Sequence, residues 1–231
     1  MAAPAEGDAM ADLIDCPNCG VDVSRQALSC LSCGEALNNI PDAITPELIA
    51  ALGDDELGDL LHSYVAEVLA EHGCDMLEGP TDSEVLESMP RCLRAVYTLS
   101  TLDFEVTNGG FYQWLTNSSG MLTQETLDDL VLIGAAVHVE LLNHVIQLNR
   151  ELESKHACFR RRWESPEPTF DRSEVDACWT DIEENYESHF DSLSHDYYQL
   201  QDDDSFWPRL VRFVREHSTE CVHTRGELKE G

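Results

Sequence analysis

The sequence predicts a mainly α-helical protein, a single all-helical domain preceded by a small cysteine-rich ribbon. Three observations lead there. Apolar residues recur at helical spacing from Pro41 almost to the C-terminus, with no alternating run of the kind a strand would give. Of the 231 residues 42 % are hydrophobic, which suffices for one sizeable core and is too many for a disordered acidic chain. Four cysteines stand as two CxxC pairs near the N-terminus.

Residues 1–11 read as a flexible tail and 12–37 as the cysteine module, in which Cys16-Pro-Asn-Cys19-Gly and Cys30-Leu-Ser-Cys33-Gly form two knuckles. Two thiolates on a tight turn grip one cation, and four complete the closed tetrahedral shell of a structural zinc site with no open position for catalysis. The expected cofactor is therefore one Zn²⁺ on Cys16, Cys19, Cys30 and Cys33. The glycine after each second cysteine suits a positive φ there. The module is similar to the zinc ribbons that end many bacterial proteins. It holds Arg25 alone against Asp12, Asp15, Asp22 and Glu35 and has no aromatic residue, which argues against nucleic-acid contact.

The helical domain is expected over 41–218. Thr45-Pro46-Glu47 reads as a helix start. Leu57, Leu60, Leu61, Tyr64, Val65, Val68 and Leu69 then mark an amphipathic helix ending near Gly73. Pro90 opens a helix running towards Asn108. Thr123 caps one of about 30 residues, apolar on most faces from Leu127 to Leu148, the expected central core helix. Trp179, Ile182, Tyr186, Phe190, Leu193 and Tyr197 share a stripe of a helix over 174–198. Its other side carries Asp181, Glu184, Glu187 and Asp191, one carboxylate per ~5 Å of axis. Asp202, Asp203 and Asp204 follow, then a short helix around Phe206 to Glu216. Residues 219–231 read as a polar tail.

The 45 acidic residues outnumber the 14 basic ones, for a net charge of −31. A chain of this size is roughly 45 Å across, and that length of duplex DNA carries on the order of 26 phosphate charges. Such a protein repels nucleic acid and anionic membrane and attracts basic surfaces. An ordinary solvated face would look similar, although four acids with no interleaved Lys or Arg forgo opposite-charge pairs. Only Lys155 and Lys229 are lysines, so a salt-rich or solubility-driven background gives the same composition. The longest apolar run, Leu130 to Val137, is too short to span a bilayer, and the N-terminus lacks signal-peptide features. A cytoplasmic location is expected, with Cys74, Cys92, Cys158, Cys178 and Cys221 reduced.

The segment from Leu102 to Gly120 includes Glu105, Asn108, Gly109, Gly110, Phe111, Gln113, Trp114, Asn117 and Gly120. These positions resemble the Glu-x-x-Asn-Gly-Gly-Phe-x-Gln signature of a family of small acidic bacterial proteins whose best-known member is a DNA mimic. The resemblance covers roughly residues 45–200 and excludes the ribbon. It implies an all-helical fold and occupation of the DNA-binding surface of a regulator or nucleoid protein. Read from the residues, the segment is architectural: Asn108 and Gly109 suit a left-handed helix cap, Phe111, Trp114 and Leu115 pack inward, and Gln113 and Asn117 bond the corner's backbone.

Catalytic alternatives are thin. His138 and His144 lie about 240° apart on a helix, so with Glu140 they form no shared metal face. His217, Cys221 and His223 read as a frayed tail. No GxSxG, P-loop, dinucleotide fingerprint or HExxH occurs. Arg160-Arg161-Arg162 reads as a solvated turn, or as a run pairing with the chain's own carboxylates or with those of a second subunit in a homodimer. The expectation is a non-catalytic acidic decoy that binds a basic DNA-binding protein, through the acids of 174–198 and Asp202 to Asp204. The alternatives are an interaction adaptor or immunity-type module, and an enzyme at the Glu105–Gln113 corner.

Overall fold

The computed structural model describes residues 13–24, 32–33, 40–74, 82–162 and 169–226. The chain divides into two compact units, Met1–Asp42 and Ala43–Gly231. In the first, β1 (Leu13–Asp15) and β2 (Asp22–Ser24) pair antiparallel across the first knuckle, Ile14 opposite Val23. The expected tail at 1–11, Cys30 and most of the second knuckle lie outside the described residues.

The second unit is helical, as its periodicity predicts. α1 (Pro46–Ala51) starts where Thr45 Oγ1 accepts the Leu48 N–H at 3.3 Å. α2 (Asp54–Glu71) buries the whole predicted stripe from Leu57 to Leu69. After α3 (Asp82–Ser88), α4 (Arg91–Thr116) continues beyond Asn108 through a kink at Gly109 and Gly110. A 3-10 turn (Ser118–Leu122) leads into α5 (Thr123–Leu132) and α6 (Ala136–Lys155). Then come α7 (Ala157–Arg160), α8 (Arg172–Asn185), α9 (Glu187–Asp204) and α10 (Trp207–Glu216). Helix α4 is the hub, packing against α2, α5, α9 and α10. Its Phe111 and Trp114 join Tyr64, Phe190, Tyr197 and Phe206 among the fully buried side chains.

The single 30-residue helix expected after Thr123 is two helices, and neither is the hub. Ala135 N–H bonds Leu130 O at 2.9 Å and Gly134 N–H bonds Val131 O at 3.1 Å, the paired bonds of a Schellman end, with Gly134 at φ +72°. Val131, Leu132 and Val137 around this corner face solvent. The helix expected over 174–198 is likewise two, broken at Tyr186 (φ −124°, ψ −28°). Trp179, assigned to the inward stripe, is 48 % exposed.

Of the expected polar tail, 219–226 are not frayed, and 227–231 lie outside the described residues. β4 (His223–Thr224) pairs antiparallel with β3 (Ala43–Ile44), closing the two ends of the helical unit on each other. Tyr64 OH meets His223 Nδ1 at 2.8 Å, and Arg225 Nη2 reaches Glu71 at 2.7 Å. Cys221, wholly buried, is joined in a disulfide to Cys92 at the start of α4. Those two cysteines therefore depart from the all-reduced expectation, because the fold brings together positions 129 residues apart.

Candidate functional site

The motif segment forms the kink of α4, and the kink holds α9. Helical dihedrals persist to Asn108, which is exposed, and the turn falls at Gly110 (φ +77°, ψ 176°), not at the expected Asn108–Gly109 cap. Ser194 of α9 fills the opening, its Oγ accepting the Phe111 N–H at 3.0 Å while donating to Phe190 O at 2.8 Å. A Cβ on Gly110 would lie 2.8 Å from that oxygen, and one on Gly109 only 2.0 Å from Gln113 Oε1. Gln113 and Asn117 do not bond the corner's backbone with their amides. Both donate to Glu105 Oε2 at 2.8 Å, and Glu105 is 2 % exposed, closed off from solvent. The two amides satisfy a carboxylate that would be costly to bury bare.

A second, half-buried acid fixes α9 from its inner side. Asp103 Oδ1 accepts from Tyr197 OH at 2.8 Å and Gln201 Nε2 at 2.9 Å, while Oδ2 accepts from Trp207 Nε1 at 3.0 Å. Burial beside this carboxylate pushes the Tyr197 phenol well above its ordinary pKa. Burial likewise lowers that of His138, which packs on Tyr197 and Phe206. His138 is a core residue.

With its inner face fixed, α9 turns its remaining acids outward. Glu187, Asp191 and Asp202 are exposed within about 60° of one another, and Asp196 and Asp203 are exposed roughly 100–120° further round. These five carboxylates span about 24 Å of axis, about one per 5 Å, against one phosphate per 3.4 Å on each DNA strand. On α8, Glu174, Asp176, Glu183 and Glu184 are exposed as well. From Arg172 to Asp204 eleven acids face one basic residue, Arg172 itself.

Two of the seven expected face residues are taken. Asp181 is half-buried between His156 Nε2 at 2.7 Å and Asn185 Nδ2 at 2.8 Å, and the bond to His156 holds its carboxyl below the usual range. Asp204 accepts both its bonds from Arg209 Nη2, at 2.9 Å each. Nor do Asp181 and Glu184 share a helix with Glu187 and Asp191, since the break at Tyr186 separates them. Glu184, Glu187, Asp191, Asp202 and Asp203 remain on the surface. Sequence reasoning passed over Glu174, Asp176, Glu183 and Asp196, which are exposed on α8 and α9.

The Arg160–Arg162 run is not a solvated turn. Arg162 donates to Glu153 Oε1 at 3.1 Å, to Asn149 Oδ1 at 3.0 Å and to Leu115 O at 3.3 Å, at the end of α4. Arg160 bonds Glu153 O and Arg161 lies over the Phe170 ring. These cations are spent within the chain.

In the N-terminal unit the ligand atoms of Cys16, Cys19 and Cys33 all lie within 4.8 Å of one another, and Cys16 Sγ is 3.6 Å from Cys33 Sγ. Tetrahedral thiolate bonds of about 2.3 Å put neighbouring sulfurs roughly 3.8 Å apart, so the group fits a metal ion. Gly20 follows the first knuckle at φ +69°, as expected, and Asn18 Nδ2 donates to Cys33 Sγ at 3.7 Å. Among the described residues no helix is long and apolar enough to cross a membrane.

No curated protein and no solved structure matches the chain. A family model does: that of the DMP19-like proteins, over residues 87–217, which takes in α4 with its kink, the buried Glu105 and both acidic helices. That stretch is more than half of the sequence, and the chain belongs to the DMP19-like protein family.

Proposed function

We propose that the protein acts without catalysis as a DNA mimic, binding a basic DNA-binding protein, a transcription regulator or nucleoid protein, in place of its nucleic acid. The observation that carries this reading is the five exposed carboxylates on α9, a helix tied to α4 by Ser194 and the Asp103 network, with α8 adding four more and no lysine on either helix. Family membership fits it, since a DNA-mimic role is a property of the DMP19-like family. Glu187, Asp191, Asp196, Asp202 and Asp203 stand where a partner's arginines and lysines otherwise meet phosphates. Attraction between unlike fields makes such association fast and salt-sensitive.

Our reading assigns one structural Zn²⁺ to Cys16, Cys19 and Cys33 with Cys30 as fourth ligand, so that the metal folds the ribbon and leaves the acidic face to recognition. It sets the protein in the cytoplasm, where its targets act. The test is capture from lysate on immobilised protein at low and high salt. Recovery of DNA-binding proteins that high salt releases supports the proposal. Capture of none, or capture indifferent to salt, overturns it.

A further inference from the structure

Cys158 on α7 and Cys178 on α8 belong neither to the knuckles nor to the disulfide. They meet in the wall of a cavity of about 370 Å³, lined also by Tyr112, Phe159, Arg162 and Trp179. Both line the same cavity, and the Cys158 thiol is close enough to Cys178 to act on its ionisation. Cys178 is buried and Cys158 half-buried. We propose that Cys158 and Cys178 form an oxidant-responsive dithiol, which closes to a disulfide when a hydroperoxide enters this cavity.

The surroundings assign each sulfur its part. A water's share of liquid volume is about 30 Å³, so the cavity admits a molecule of peroxide size with room to spare. Trp179 in its wall is 48 % exposed, which puts the cavity at the surface. Burial, reinforced by the neighbouring thiol, pushes Cys178 up to about 12, so it waits protonated. The more accessible Cys158 begins the reaction, and the Arg162 guanidinium in the same cavity wall favours negative charge on the departing oxygen.

The Cys158 thiolate attacks a peroxide oxygen. An S–O bond forms, the O–O bond breaks, and the leaving hydroxide or alkoxide takes up a proton. Sulfur is now a sulfenic acid, oxidised by the two electrons that reduced the peroxide. Cys178 sulfur then attacks the sulfenic sulfur. The S–S bond forms, the S–O bond breaks, and the thiol proton departs with the hydroxide as water. Two thiols and one hydrogen peroxide give one disulfide and two waters. The product staples α7 to the middle of α8.

The test is hydrogen peroxide titration of the full-length protein, followed by alkylation and tryptic mapping without reduction. The expected product is the peptide His156–Arg160 cross-linked to the peptide Ser173–Arg209, two mass units lighter than the sum of the reduced pair. A Cys178→Ser variant should instead accumulate a dimedone-trappable sulfenic acid on Cys158, and Cys158→Ser should leave Cys178 alkylatable. Sulfinic acid on Cys158 without the cross-link overturns the proposal, as do both thiols staying alkylatable while the knuckle cysteines oxidise, or a link from either to another cysteine. The Cys92–Cys221 peptides serve as the internal standard for a disulfide present throughout.

Discussion

The Ser194 hydroxyl sits in the gap left by Gly110, 3.0 Å from the Phe111 nitrogen, and it couples the kink of α4 to the helix that carries the acidic face. The family motif and the surface acids are thus parts of one arrangement. Two glycines make room, one serine crosses over, and the far side of its helix is held towards solvent.

Replacing Gly110 with alanine places a Cβ against Ser194 Oγ in a backbone region costly to side chains, so G110A should lose about 2–4 kcal/mol in urea unfolding. S194A leaves the Phe111 N–H buried without its acceptor and should cost about 1–3 kcal/mol. Because the two sites touch, the double variant should lose measurably less than the sum of the singles. Strict additivity would mean the hydroxyl and the glycine do not share the space described.

Asp129 on α5 is fully buried, receiving Thr98 Oγ1 at 2.5 Å and lying beside Arg91. Burial outweighs these partners and raises its pKa from 3.8 to about 6. Between those values the folded state binds the proton that the unfolded chain has released, so this group's contribution falls as pH rises from about 4 to 6. A shift of that size corresponds to roughly 2–3 kcal/mol. The stability of D129N relative to the parent should therefore improve across that window, read from paired urea titrations at each pH. A flat difference would contradict the assignment.

Truncation after Glu220 removes the Cys92–Cys221 bridge, the His223–Tyr64 bond and the Arg225–Glu71 pair. The loss should be about 3–5 kcal/mol, dominated by the cross-link. The thermal midpoint measures it, and a truncated chain as stable as the parent would restore the frayed-tail reading.

Metal removal should affect the two units unequally. A chelator strong enough to strip the cysteine cluster should release one zinc per chain and unfold the ribbon, since structural zinc supplies much of such a module's folding energy. The far-ultraviolet helical signal, which comes from Ala43–Gly231, should persist. Collapse of that signal on chelation would show that the helical unit depends on the ion.

Local chemistry was readable in the sequence, and long-range pairing was not. Thr45-Pro46 announces α1 because a cap bonds only three residues ahead, and the α2 stripe is legible because every apolar position in it is buried. The break at Tyr186 escaped because the apolar spacing crosses it unchanged: Ile182, Tyr186 and Phe190 stand four residues apart and all are buried. Gly134 was hidden inside an apolar run, although its left-handed turn ends α5. The acids were all visible, but whether a carboxylate faces water or a partner depends on residues far away. His156 claims Asp181 across 25 positions, and Asp103 gathers donors from α9 and α10.

The central claim is that exposed carboxylates on α9 take the place of phosphates. Competition measures this most directly. A DNA-binding protein captured from lysate is bound to the parent and to a variant with Glu187, Asp191, Asp202 and Asp203 changed to their amides, with duplex DNA titrated in at fixed salt. DNA should displace the parent stoichiometrically, and the variant should bind at least about tenfold more weakly, a loss of some 1.4 kcal/mol, while keeping the parent's unfolding midpoint. A ternary complex with DNA, or equal affinity of the two forms, would contradict the account.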